Sequence, residues 1–366
     1  MRRRQMLRGL GALGLPGFNA AAWALPVRTL RFPRDHGSHP ELRTEWWYIT
    51  GQARTAEGLW GFQITFFRSR VDAAQSLQSR FAARQLLFAH AAVTDLRRGR
   101  LLHDQRVARA GWGVAEASST DCAIRLQDWS LTRTPHGGPG DSRYAIRAGA
   151  ADFALEIDAS STQAPLLQGD AGLSRKGPHP DEASYYVSQP QLQLAGALSV
   201  AGQRMPLTSG EAWDNRAWMD HEWSETLLAP DAVGWDWIGM NLRGGGALTA
   251  FQLRRADGSA LWAGGSLRPS GDAPVQVFGS DEVRFTAQGH WRSALSGARY
   301  PVRWRLQTPA GNYGITALLD DQELDSRAST GAIYWEGLST LRDEADREIG
   351  RGYLEMTGYA QPLQLR

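Results

Sequence analysis

The chain has 366 residues, with 40 lysines and arginines against 38 acids, and a single cysteine. The charges are interspersed, so no strip for a polyanion forms and a nucleic-acid partner is not expected. Cys122 stands alone, which excludes an internal disulfide framework and any multi-cysteine metal site.

Part of the basicity is concentrated at the start. Arg2-Arg3-Arg4-Gln5-Met6-Leu7-Arg8 looks like a twin-arginine export signal, which a receptor reads as an address. The run from Gly9 to Ala24 is too short and too glycine-rich to span a bilayer, which takes about 20 predominantly apolar residues. It ends in Ala22-Trp23-Ala24, an A-x-A cleavage site. A signal peptide over 1–24 and a periplasmic location are therefore expected. Without Arg2, Arg3, Arg4 and Arg8 the net charge falls from +2 to −2. No second apolar segment approaches spanning length, so no transmembrane segment is expected.

From there on the chain reads as all-β. Glu45-Trp46-Trp47-Tyr48 opens it, and Trp60, Phe62, Ile64 and Phe66 then alternate with Gly61, Gln63 and Thr65. That period of two puts the aromatics on one sheet face. Turn signals recur at Glu57-Gly58, Arg98-Gly99, Gly137-Gly138, Gly244-Gly245, Asp257-Gly258 and Gly271-Asp272, the spacing of barrels or sandwiches. Short helical windows are expected only near Val71–Ala83 and Leu341–Arg347. The polar link Ala201–Pro206 suggests two domains, 25–203 and 204–366, each opening on a tryptophan cluster, the second being Trp218-Met219-Asp220-His221-Glu222-Trp223. Val302, Trp304 and Leu306 alternate with arginines in a late strand.

An ordered set of segments carries a resemblance. It comprises His39-Pro40-Glu41-Leu42-Arg43-Thr44-Glu45-Trp46-Trp47-Tyr48, Gly61–Arg68, Phe88–Asp95, Ser184–Pro190, Gly210–Trp213, Trp218–Ser224, Gly234–Trp237, Tyr334-Trp335-Glu336-Gly337 and Gly352–Tyr359. The chain resembles the AttH/carotenoid 1,2-hydratase family of tandem lipocalin-like proteins. The resemblance implies two lipocalin-like antiparallel β-barrels. It also implies hydration of an apolar alkene, and a His-x-Trp pattern carries His221 and Trp223 over as catalytic candidates. The family pattern further implies a tyrosine and an aspartate two apart on a following strand. Here Leu248-Thr249-Ala250-Phe251-Gln252-Leu253 offers neither.

Alkene hydration needs a carboxylic acid kept protonated by desolvation, and electron-rich walls for a cation. Asp220, Glu222 and Asp236 are the candidate acids. In an extended strand Asp220 and Glu222 share one face, and His221 and Trp223 share the other. Trp46, Tyr48, Phe62, Phe66, His90, Trp235 and Trp237 are expected to line a pocket for an apolar ligand, although His90 also suits a satisfied barrel interior. Asp220, His221 and Glu222 equally suit a structural role. Arg43 and Glu45 are read as one side of an ion pair between domains. The leading expectation is an exported protein that binds an apolar small molecule such as a lipid, terpenoid or polyene. A hydratase or isomerase of such a molecule is the alternative, and an accessory role at an ABC-type exporter is a third. No Gly-x-Ser-x-Gly elbow supports a serine hydrolase. No His-x-x-x-His or Cys-x-x-Cys spacing supports a metal, and no cofactor is implied.

Replacing Arg3 and Arg4 by lysine is expected to hold the precursor in the cytoplasm. Fractionation followed by immunoblotting checks this, and normal delivery of the Lys-Lys chain contradicts it.

Overall fold

The computed structural model describes residues 24–363, apart from Pro139, Ser209 and Ala212. The expected signal, up to Trp23, lies outside the described residues. The fold is built from two antiparallel sheets, of fourteen and ten strands, and the only helical elements described are three short 3-10 turns. This is the tandem lipocalin-like architecture. No described helix is long and apolar enough to cross a membrane.

In the first sheet, Thr44–Thr55 pairs on one side with Gly58–Arg70 and on the other with Arg216–Ser224. Arg216–Ser224 pairs in turn with the long strand Ala183–Val200. The far ends of the sheet curl toward each other, bringing Gln85–Asp95 and Arg100–Arg109 against Ala123–Leu126 and nearly closing a barrel. Alternation decides what fills it. Trp47 and Ile49 from one strand, and Trp60, Phe62, Ile64 and Phe66 from the next, all point into one buried core with Trp129 and Tyr144. The second sheet starts at Gly234, and its core holds Tyr300, Val302, Trp304, Leu306, Trp335 and Leu354.

Three expectations need correcting. Arg216–Ser224 is hydrogen-bonded into the first sheet, so the sheets divide within 225–233 and not at 203. The link 201–206 is instead the tip of a hairpin, with Val200 opposite Gln203. The two tryptophan clusters are therefore neighbouring strands, Trp47 opposite His221 and Tyr48 opposite Asp220. The helical windows fail as well. Only Asp72–Ala74 forms a 3-10 turn in the first, and Leu341 lies in the strand Ala332–Arg342, opposite Gly350 and fully buried. Burial in a paired strand overrides weak helix propensity there.

The barrels meet along a third apolar cluster, with Tyr48 and Trp218 from the first sheet and Trp237, Phe251, Leu338 and Tyr353 from the second. Gly61 lets them approach. A Cβ there would sit 2.8 Å from the Tyr353 hydroxyl and 3.1 Å from Leu338. Because Arg216–Ser224 is a central strand, a chain ending at Gly202 is expected to aggregate or to melt without a cooperative transition. Extending it to Pro230 is expected to restore that transition, read by circular dichroism. A cooperative melt from the shorter chain contradicts the assignment of this strand.

Candidate active site

Strand Arg216–Ser224 presents a different chemistry on each face. On the back, His221 and Trp223 meet a buried charge network centred on Glu45. Glu45 accepts from the His39 ring at 2.8 Å, the His221 Nε2 at 2.9 Å and the Arg68 Nε at 2.8 Å. Ser38 and the His39 backbone N–H also donate to it. Its partner is thus Arg68 of the same sheet, and not Arg43, which is exposed. Burial alone pushes the Glu45 carboxyl up, but the hydrogen bonds from His221 and His39 and the Arg68 charge overcome this and hold it far below the usual range. Burial lowers the His221 imidazole, which Glu45 only partly offsets. The His39 ring stacks on Trp223 at 4.1 Å, and Trp47 stacks on His221 at 4.7 Å. His39, Glu45 and His221 hold donor atoms within 4.8 Å of one another, a set that could hold a cation. Five donors already saturate the Glu45 oxygens, and the geometry is that of an ion-pair network.

The front of the same strand faces a cavity of about 130 Å³ between the barrels. Trp46, Tyr48, Phe67 and Phe88 wall it from the first sheet, and Trp235, Trp237 and Phe251 from the second. Asp220 is held by Tyr186, whose hydroxyl donates at 2.6 Å, by Ser188 at 2.5 Å and by the Trp218 indole at 2.7 Å. Trp237 donates in turn to the Tyr186 oxygen at 2.9 Å. Burial pushes the Asp220 carboxyl up to about 7 against those donors, and the neighbouring Glu222 adds to the rise. Glu222 pairs with Lys176 at 3.0 Å and accepts from Ser184. His90 reaches Tyr334 at 2.9 Å and Ser329 at 2.8 Å, and burial lowers it to about 3, so it is a neutral imidazole.

Two further acids complete the cavity. Glu336 and Glu355 lie directly opposite each other on neighbouring strands and both line it. Like charges in that position repel. Burial raises Glu355 to about 8, with the Asp220 and Glu222 charges adding and the Trp235 indole opposing. Burial and then the Glu355 charge raise Glu336 well above the carboxylate range. Glu355 remains partly exposed on this wall.

The site residues read from the sequence are thus divided. Asp220, Glu222, Trp46, Tyr48, His90, Trp235 and Trp237 come together in the cavity. His221 and Trp223 point to the opposite side, because strand neighbours alternate. Phe62 and Phe66 fill the first barrel, and Thr65 and Phe67 face the cavity in their place. Asp236 is locked in the second barrel by Arg254 at 2.9 Å, Gln252 and Tyr359. A tyrosine and an aspartate do meet in the cavity, Tyr186 and Asp220, but they come from adjacent strands and not from 248–253. Glu336 and Glu355 escaped notice, although each is a lone acid within an apolar strand segment, Tyr-Trp-Glu-Gly and Tyr-Leu-Glu-Met.

A family model described as AttH-like matches residues 24–359. This chain belongs to the AttH-like family. Among solved structures, this AttH-like protein is similar to one from Nitrosomonas europaea assigned to AttH. The TM-score is 0.82 at 44% identity, with 92% of this chain and 99% of that one covered. It is also similar to kievitone hydratase from Nectria haematococca, with a TM-score of 0.68 at 13% identity over 91% and 94% of the two chains. That second likeness is one of fold. No curated protein matches.

The Glu45 network of this AttH-like protein generates a stability prediction. Removing one partner of a buried charge pair leaves the other uncompensated and costs about 3–5 kcal/mol. Glu45→Ala is expected to lose that much at pH 7, measured by urea unfolding. The folded carboxyl is depressed, so its contribution is present above the unfolded value of 4.5 and fades as pH falls below it. The gap between the parent and Glu45→Ala must therefore narrow in acid.

Proposed function

We propose that this protein binds an apolar alkene-bearing molecule in the cavity between its barrels and adds water to it by proton donation. The observation that carries the reading is Glu355, a carboxyl raised to about 8, standing opposite Glu336 in a cavity with aromatic walls. A donor with a pKa near working pH is the most effective general acid. Two carboxyls that cannot both ionise keep one proton between them.

The step follows from these groups. Glu355 gives its proton to one alkene carbon, and positive charge develops on the neighbouring carbon. The faces of Trp46, Trp235 and Trp237 stabilise that charge. Water bonds to the cationic carbon, and the proton it sheds passes to a carboxylate of the cluster, from which Glu355 is recharged. One H and one OH are added, with no change of oxidation state. Export through the twin-arginine signal belongs to the same proposal and puts this activity in the periplasm. The hydratase name of the kievitone enzyme agrees with the reading, but the argument rests on the acids of this chain.

Terpenoid and polyene alkenes are the compounds to test, with tryptophan quenching for binding and the mass gain of one water for turnover. Activity is expected to fall as pH rises through about 8, because the protonated form of Glu355 is the donor. Glu355→Gln is expected to slow turnover by at least about 100-fold, the usual scale of one general acid, while leaving binding nearly unchanged. Full turnover by Glu355→Gln sinks the mechanism. Absence of quenching by every alkene removes the binding step as well.

A further inference from the structure

A second feature lies on the surface beside the cavity. Phe81 is 63% exposed and Trp112 is 50% exposed, and the two rings stack at 5.2 Å. Leu77, at 49% exposure, extends the apolar patch. Trp112 adopts φ 61°, between Gly111 and Gly113 at φ 102° and 69°. A bulky side chain in the left-handed region is an outlier, and such strain persists where the surroundings impose it. Here the turn holds an indole out in solvent.

The patch is ringed by positive charge. Arg80 lies over the Trp112 ring at 4.5 Å, and Arg109 lies 5.4 Å from the same ring and 5.5 Å from that of Phe81. Arg84 donates to the Leu77 carbonyl from the same loop. None of these three arginines pairs with a carboxylate among the described residues, whereas Arg70, Arg106 and Arg125 nearby each do. Exposed aromatics bearing unpaired guanidinium groups suit the boundary between lipid headgroups and acyl chains. Rings partition there, and each basic residue adds attraction to anionic headgroups.

Register ties the patch to the cavity. Arg109 stands opposite Leu86, and Val107, 44% exposed, stands opposite Phe88. Phe88 lines the cavity and stacks on Phe67, which lines it too. Leu86 and Phe88 lie on one face of their strand, so Val107 and Arg109 continue that face from the cavity wall to the patch.

We propose that Leu77, Phe81 and Trp112, with Arg80, Arg84 and Arg109, form a docking surface for an anionic phospholipid bilayer. Docked there, the protein holds the adjoining cavity wall near the membrane, the compartment in which an apolar molecule accumulates. Docking itself does not depend on the hydration chemistry.

The full chain is to be sedimented with vesicles of phosphatidylcholine alone and of phosphatidylcholine with phosphatidylglycerol. Binding is expected to the anionic vesicles and to weaken with added salt. At about 1 kcal/mol per basic residue, Arg80→Gln with Arg109→Gln should lower partition by roughly 30-fold. Phe81→Ser with Trp112→Ser should abolish it. Arg80, Phe81 and Trp112 are exposed and Arg109 is half-buried with an exposed hydrogen bond to the Phe81 carbonyl, so both double variants should keep a melting temperature close to the parent's, which separates lost docking from lost folding. No partition onto the anionic vesicles, or partition unchanged in both double variants, overturns the proposal. If the variants lose docking but still turn over a soluble alkene, the surface stands apart from the catalytic acids. If docking persists while Glu355 proves dispensable, only the hydration mechanism falls.

Discussion

Strand Arg216–Ser224 is paired along both edges, and that constraint governs the rest of the molecule. Thr44–Thr55 lies on one side and Ala183–Val200 on the other, so a one-residue slip would turn every side chain to the wrong face. The Glu45 network pins the register from behind through His221, while Tyr186 and Ser188 of the partner strand pin Asp220 in front. Two hydrogen-bond systems on opposite faces thus fix one strand. A ligand cavity in front gains a rigid wall without itself being filled by core side chains.

Arginine separates the two kinds of buried acid near that strand. Glu45 and Asp236 each touch a guanidinium, Arg68 and Arg254, and each is further satisfied by neutral donors. Those acids belong to the scaffold. In the cavity Glu222 has a cation, Lys176, while Asp220, Glu336 and Glu355 have none among the described residues. Burial and mutual repulsion then raise their carboxyls, a cost to folding that a purely structural cluster would have no reason to carry. Arg68 and two imidazoles hold the Glu45 carboxyl low, whereas burial raises Asp236 even beside Arg254, and the deciding partners come from elsewhere in the fold and not from the acid's own neighbours in sequence.

That dependence explains what the sequence could and could not disclose. The all-β class was legible because alternation in 60–66 and 302–306 is local, and the aromatic residues on those strands do enter cores. Which face meets a ligand was not legible, since both faces of the central strands Thr44–Thr55 and Arg216–Ser224 are buried, one by their own barrel and one by the other barrel. Phe62 and Phe66 carry the stronger apolar signal and so go to the barrel, leaving Thr65 and Phe67 for the cavity. The division between sheets was misplaced because a tight polar hairpin at 201–206 has the same composition as a linker. Glu336 and Glu355 are 19 positions apart in the numbering, and only the pairing of their strands makes them one site.

Filled barrels also account for where the site lies. Trp47, Trp129 and Tyr144 occupy the first interior, and Tyr300, Trp304 and Trp335 the second. The cavity that gathers the acids lies instead where the outer faces of the two barrels fail to mesh. Gly61 and Gly239 allow the sheets to close tightly along part of the seam, a Cβ on Gly239 falling 3.0 Å from Trp218 of the first sheet. Beyond that closure the larger rings of Trp46, Phe67 and Trp235 hold the faces apart, and the acids of both sheets converge on the gap. A single barrel therefore contains half a wall and half of the acid cluster. The pairing of two barrels is what creates a place where a carboxyl is both desolvated and within reach of a ligand.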